Sequence, residues 1–293
     1  MPSNTNTASA NDDRDTRMCQ QPTGARANSR TDAIRAAFAR GKAFIPFVTC
    51  GDPNMETTER LVRALADAGA SVIELGVPFS DPTAEGPVIQ EANVRSLSNG
   101  TTTDDVFDLT RRLRAKGAAE DPVKCPLVIM TYANVVFHYG IERFCENAAD
   151  AGIDGLILPD VPFEEKEEFA SVCRRHGIAF ISMIAPTSDE RIAMIAQDAE
   201  GFIYLVSSLG VTGTRSSITT DLPSIVEKIR SVTDVPIAIG FGISNPEQAH
   251  RMAETADGAI VGSAIVKIVA KEGTDSVEPV REFAESIAAA VGE

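Results

Sequence analysis

The stretch METTERLVRALADAGASVIELG (55–76) holds both kinds of element that decide the fold. Its first half is amphipathic and of helical length, and its second half enters a short apolar run that reads as a strand. Working outward, the same unit recurs. Apolar runs stand at 43–49 (AFIPFVT), 71–76 (SVIELG), 126–132 (PLVIMTY), 154–160 (DGLILPD), 179–185 (AFISMIA), 201–207 (GFIYLVS), 236–242 (PIAIGFG) and 258–263 (GAIVGS), with helix-length amphipathic segments between them. Alternating strands and helices imply a parallel sheet. Eight strands, each apolar throughout, fit a closed (β/α)₈ TIM barrel better than an open sheet. ADAGASVIELG, ADAGIDGLILPD and ETADGAIVGS each end a helix on small residues before a strand, the mark of a repeated βα module.

The organisation follows. Residues 1–30 are polar, lack an apolar period and are expected to be a disordered N-terminal extension, leaving 31–293 as a single catalytic barrel domain. TDAIRAAFARG (31–41) reads as a short helix with Thr31 or Asp32 as its N-cap and Gly41 as its stop.

Composition narrows the class. A net charge of −15 argues against nucleic-acid binding and against anionic membranes. The cations are 20 Arg and only 7 Lys, a carboxylate-rich, Lys-poor pattern expected of a protein working in high salt. Five widely spaced cysteines without a C-x-x-C fit a reducing, cytoplasmic setting. No apolar run approaches a membrane span, and the N-terminus lacks the apolar core of a signal peptide.

In such a barrel the chemistry sits at the carboxyl ends of the strands. The polar residues expected there are Thr49, Asp52, Glu74, Asp160 and Tyr204. Glu74 stands out because it interrupts an apolar strand, where a buried carboxyl gains a raised pKa suited to proton transfer. The loop after it, VPFSDPTAEGP, carries Asp81 and Glu85; either could reach over the pocket, or the loop could simply be solvated. GFGIS (240–244), GSAIV (262–266) and GVTG (210–213) are glycine-rich turns after the last three strands, suited to cradling a phosphate. The histidines lack metal-ligand spacing, no lysine sits at a strand end to form a Schiff base, and no dinucleotide fingerprint follows the first strand. An acid–base enzyme with no metal and no cofactor of its own is the expectation.

Taken together, FIPFVTCGDP (44–53), IELGVPFSDPTAEGPVIQ (73–90), YANVVF (132–137), PDVPFEE (159–165), YLVSSLGVTGTR (204–215), GFGIS and GSAIV resemble the tryptophan synthase alpha chain family over residues 43–266. The resemblance implies a lyase of tryptophan biosynthesis that cleaves indole-3-glycerol phosphate to indole and glyceraldehyde 3-phosphate. It implies Glu74 as the catalytic glutamate and Glu85 as the second carboxylate, which partners the indole N–H. Phe47, Tyr132, Tyr204 and Phe241 would surround the indole, Thr212 would close toward the second carboxylate, and Gly213, Gly242, Gly262 and Ser263 would hold the phosphate. Pro78 and Asp81 would face a pyridoxal-phosphate-bearing beta subunit in an alpha2-beta2 heterotetramer. Two positions depart from the family: A-E-G-P replaces A-D-G-P at Glu85, and Ser208 stands where many members carry Arg, while Arg215 matches. The rival readings are a phosphate-binding isomerase on the same barrel and a non-catalytic barrel that activates a beta subunit.

Overall fold

The computed structural model describes residues 24–116, 121–207, 221–240 and 242–292. Its strands are β1 (Ala43–Thr49), β2 (Ile73–Gly76), β3 (Leu127–Met130), β4 (Gly155–Ile157), β5 (Ala179–Phe180), β6 (Ser182–Ile184), β7 (Ile203–Val206), β8 (Ile237–Gly240) and β9 (Gly258–Val261). All pairings are parallel, in the order β5-β4-β3-β2-β1-β9-β8-β7-β6. Nine segments arise from eight runs because 179–184 breaks at Ile181, whose N–H donates to Leu156 O at 2.9 Å. The two ends of the sheet, β5 and β6, are thus halves of one run, and the sheet closes on itself as a TIM barrel.

Each strand divides its side chains between two cores. Ala43, Ile45 and Phe47 of β1 point into the barrel with Val128, Met130, Ile157, Tyr204, Ala238 and Ile260. Their neighbours Phe44, Val48, Ile73, Leu75, Leu127 and Ile129 pack outward against the helical layer. The repeated helix-to-strand phrase has a mechanical meaning. Asp154 accepts the N–H of Leu127 at 2.9 Å, Asp257 that of Ile237 at 2.9 Å, and Ser71 that of Phe44 at 3.3 Å. The N–H groups of Asp154, Asp257 and Ser71 answer by donating to the carbonyls of the same three partners, each at 2.8 Å. A polar residue just upstream of each of these three strands therefore pins the start of its neighbour.

The first helix corrects one expectation. It spans Gly24–Phe38, so Thr31 and Asp32 lie inside it rather than capping it, and helix reaches back into the stretch read as disordered. Ala and Arg are good helix formers, and tertiary contact does the rest. Arg30 donates to Ala149 O at 2.7 Å and to Ile153 O, at the carboxyl end of the Ile141–Ala151 helix. Ile34, Ala37 and Phe38 plug the base of the barrel, with the Phe38 and Phe202 rings 5.6 Å apart.

At the opposite end, the loop after β1 grips the Pro87–Ser98 helix. Arg95 makes a two-pronged ion pair with Asp52, both bonds 2.8 Å, and Ser96 Oγ donates to Cys50 O at 2.6 Å. Asp52 is only 2% exposed, so losing the guanidinium would strand a buried charge. Arg95→Ala is expected to lower unfolding stability by about 2–3 kcal/mol, measured by urea denaturation.

Candidate active site

A cavity opens at the carboxyl ends of the strands, with about 490 Å³ of empty space when its solvent-open mouth is included. Its wall is Phe47, Ile89, Met130, Tyr204, Ile243 and Ile260, and its polar groups are Glu74, Glu85, Gly242, Gly262 and Ser263. The mostly apolar lining with a few convergent polar groups suits an aromatic ligand with a few orienting polar contacts. Of the site residues expected from the sequence, Phe47, Glu74, Glu85, Tyr204, Gly242, Gly262 and Ser263 line this one cavity. Phe241, Thr212, Gly213, Ser208, Arg215 and the GVTG turn lie outside the described residues.

Glu74 is 1% exposed, and among the described residues neither of its carboxyl oxygens has a hydrogen-bond partner. Its position follows from register: it pairs with Phe47 on one side and Val128 on the other, both of which point inward. Burial alone pushes its pKa up to about 8, because a carboxylate there has neither solvent nor a donor to hold it ionised. Tyr204 is fully buried and its phenol is shifted well above its usual range, by burial first and by the charge on Glu74 second.

Glu85 approaches from the loop and is held differently. Asn93 Nδ2 donates to Glu85 Oε2 at 2.7 Å, and Gln90 Nε2 donates to its main-chain carbonyl at 2.7 Å. Burial raises its pKa to about 7, opposed by hydrogen bonds from Asn93 and Tyr132. Tyr132 stands beside this carboxylate. Its hydroxyl accepts the Ala84 N–H at 3.1 Å and bonds Glu85, and its ring lies 5.3 Å from Phe79, so it braces the loop and is absent from the cavity wall.

Two strand-end glycines matter for the aromatics. A Cβ on Gly76 would fall 2.5 Å from the Phe47 ring, and one on Gly240 would fall 2.6 Å from Tyr204. Both rings lie flat across neighbouring strands only because these positions carry no side chain.

The Ser263–Glu272 helix begins at the rim of the cavity. Its N-cap is Gly262, which offers no side-chain cap, so its first N–H groups remain available at the cavity. The Pro246–Thr255 helix differs, since Asn245 caps it internally through Gln248 N at 2.9 Å.

Other expected site residues have structural roles. Asp52 is consumed by Arg95, and Asp160 accepts the N–H of Ala133 at 3.0 Å, capping the Ala133–Tyr139 helix from a neighbouring loop. Thr49 is buried at the end of β1, away from the cavity wall. Pro78 is buried within the chain, so of the two residues expected to face a partner only Asp81 is exposed. Ile89, Met130, Ile243, Ile260 and Asn93 were not anticipated. The four apolar residues carry no sequence signal that separates them from core, whereas an Asn between apolar positions of the helix was a readable one.

The comparisons with known proteins agree with this geometry. The family model described as tryptophan synthase alpha chain matches residues 35–291, beyond the 43–266 span of the motifs. The tryptophan synthase alpha chain of Lactiplantibacillus plantarum is 51% identical over 238 residues, 81% of this chain and 88% of that protein. The crystal structure of the alpha chain from Legionella pneumophila superposes with a TM-score of 0.78 at 34% identity, covering 91% of this chain and 97% of that one. A chain of the tryptophan synthase complex from Pyrococcus furiosus does so at 0.76 and 33%, covering 85% and 99%. With Glu74 and Glu85 facing one apolar cavity and an uncapped helix end at its rim, the chain belongs to the tryptophan synthase alpha chain family.

Proposed function

We propose that this cavity cleaves indole-3-glycerol phosphate to indole and glyceraldehyde 3-phosphate, with Glu74 as the transferring acid–base and Glu85 as the electrostatic partner of the indole nitrogen. Membership of the family makes the chain a lyase of tryptophan biosynthesis. The observation that carries the residue roles is the buried Glu74 carboxyl, both of whose oxygens lack a partner among the described residues, in a mostly apolar pocket. A carboxyl raised to about 8 is largely protonated at neutral pH and can deliver its proton to the indole C3. The positive charge then spreads to the ring nitrogen, whose N–H donates to the Glu85 carboxylate. The Glu74 carboxylate so formed removes the proton from the glycerol hydroxyl. The carbon–carbon bond breaks, its electrons restore the neutral indole, and the hydroxyl carbon becomes the aldehyde. Glu74 ends protonated, as it began. The chain itself needs no cofactor for these steps.

The phosphate is assigned to the Gly262–Ser263 helix end. A Cβ on Gly262 would meet only Phe47, at 3.4 Å, which is ordinary contact, whereas Gly242 sits at φ +86° and would strain any substitute. Gly262→Val is therefore the clean test. Affinity for glyceraldehyde 3-phosphate should fall about tenfold or more, and well beyond any change in indole affinity, since the side chain covers the helix-end N–H groups and makes only ordinary contact with Phe47. Release of indole from indole-3-glycerol phosphate by the purified chain tests the reaction as a whole, and a folded chain that releases none would leave only a non-catalytic, partner-activating role.

The expected partner is a beta subunit carrying pyridoxal phosphate, in an alpha2-beta2 assembly. Support comes from the carboxyl-end face, where Phe137 is 63% exposed on the Ala133–Tyr139 helix and Asp81 stands in the adjoining loop. An exposed large aromatic beside an active-site mouth is a usual interface anchor. Among the described residues no helix is long and apolar enough to cross a membrane. A cytoplasmic location agrees with the four cysteines among the described residues, which are all free thiols.

Salt adaptation is part of the same reading. With 42 acidic against 27 basic residues, self-repulsion should be relieved by salt, so the thermal midpoint is expected to climb steadily toward molar KCl. A midpoint flat from dilute buffer upward would make the charge incidental.

A further inference from the structure

Asn93 is a polar residue in the middle of the Pro87–Ser98 helix, 3% exposed, flanked by Ala92 and Val94. Asn is a poor helix former, and burying its amide is costly unless both the site and the geometry use it. Its Nδ2 reaches back eight residues to Glu85 Oε2, at 2.7 Å. A carboxylate only accepts, so the amide N–H is the donor.

The bearing of this amide is fixed from behind. Arg95 and Ser96, in the following turn, are tied to Asp52 and Cys50 of the loop after β1, and Asn99 Nδ2 donates to Pro53 O at 2.5 Å. Gln90, one turn earlier, holds the Glu85 main chain. The second support of the carboxylate is the Tyr132 hydroxyl. Since that hydroxyl accepts the Ala84 N–H, its own proton is free to point at Glu85. Among the described residues, the titratable groups around Glu85 are Tyr132, Asp160 beyond it, and Glu74 and Tyr204 on the cavity wall. Among the described residues no Lys or Arg lines the cavity, and the groups that oppose the burial of this carboxylate are the neutral donors Asn93 and Tyr132.

We propose that Asn93 is a positioning residue of the lyase reaction: its amide aims the Glu85 carboxylate into the cavity and keeps it ionised for the indole N–H. The inference rests on Glu85 being the second carboxylate, and its test separates the two. Asn93→Ala removes the donor, and Asn93→Asp keeps the shape but sets a second acid against Glu85. Each is made in the native chain and in Glu85→Ala, and indole release is followed from pH 5.5 to 9.

The expected result is a kcat loss of about ten- to a hundredfold for Asn93→Ala, with KM within about threefold. The acid limb of kcat/KM should move up by about one pH unit, and further in Asn93→Asp, because a donor to the charged form has been lost and a like charge added. In Glu85→Ala the same substitutions should change turnover less than about twofold, since interacting residues are not additive. Equal losses in both backgrounds, or an Asn93→Asp chain with native turnover and an unmoved acid limb, would overturn the role of Asn93. Native turnover in Glu85→Ala alone would instead remove the reading of Glu85, and this inference with it. A structural role would lower kcat without moving the limb, and that outcome also counts against the proposal. Should Asn93→Ala not fold, Asn93→Asp carries the test, with glyceraldehyde 3-phosphate binding as the check that the barrel is intact.

Discussion

Glu74→Gln should lower kcat for indole release by at least about 10²–10⁴-fold while leaving a folded and, above neutral pH, more stable protein. Gln matches the shape of the protonated acid but has no proton to transfer. The stability change follows from the sign of the pKa shift. Below about pH 4.5, the ordinary carboxyl value, Glu74 is protonated in both the folded and unfolded chains and contributes no difference. Between there and about 8, the unfolded chain releases the proton and the native chain keeps it, so the native state loses stability as pH rises. Above about 8 the native chain carries a buried charge with no hydrogen-bond partner among the described residues, and the loss is complete. Gln does not titrate, so its advantage should grow across this window to roughly 3–5 kcal/mol as an upper figure. Thermal melts of both proteins at pH 4 and pH 8.5 measure it. A variant no more stable at pH 8.5 would mean the carboxyl is solvated, and the case for a raised pKa would fall with it.

This conflict between activity and stability is what made Glu74 legible without coordinates. A charge inside SVIELG is out of place in any strand, and only function or a buried pair excuses it. The barrel was legible for a related reason: eight apolar runs at regular spacing leave few architectures. The sequence could not say that 179–184 breaks at Ile181, since its composition is unbroken. The first helix escaped because GARANSR has no apolar stripe; its ordering depends on Arg30 meeting carbonyls more than a hundred positions away. Asp52 and Asp160 show the limit of position as evidence. Both lie at strand ends as a catalytic residue would, and both are used up by partners, Arg95 and the Ala133 N–H, that lie in other segments. Tyr132 adds a duty that the sequence does not announce: its hydroxyl holds the loop that bears Glu85.

The Glu85 series has the second large expected effect, because it probes the departure from the family's aspartate. Glu85→Ala should cost kcat about 10²-fold or more with little change in phosphate-dependent binding, since the carboxylate acts on charge that develops only in the transition state. Glu85→Asp should retain partial activity. Its carboxylate is one methylene shorter, and the Asn93 amide that stands 2.7 Å from the native oxygen is set for the longer side chain. The loop is also tied by Gln90 and Tyr132, so it cannot advance freely to compensate. The pH dependence adds a second handle. Glu85 must be ionised and Glu74 protonated, and burial sets them near 7 and 8, so kcat/KM should be bell-shaped with its maximum between the two. Glu85→Ala should flatten the acid limb and leave the alkaline limb in place. Glu85→Asp should keep an acid limb, displaced according to how much of the Asn93 bond survives. If Ala, Asp and Glu turn over alike, with superimposable pH profiles, Glu85 only closes the wall, and Glu74 is left as the single carboxylate of the reaction.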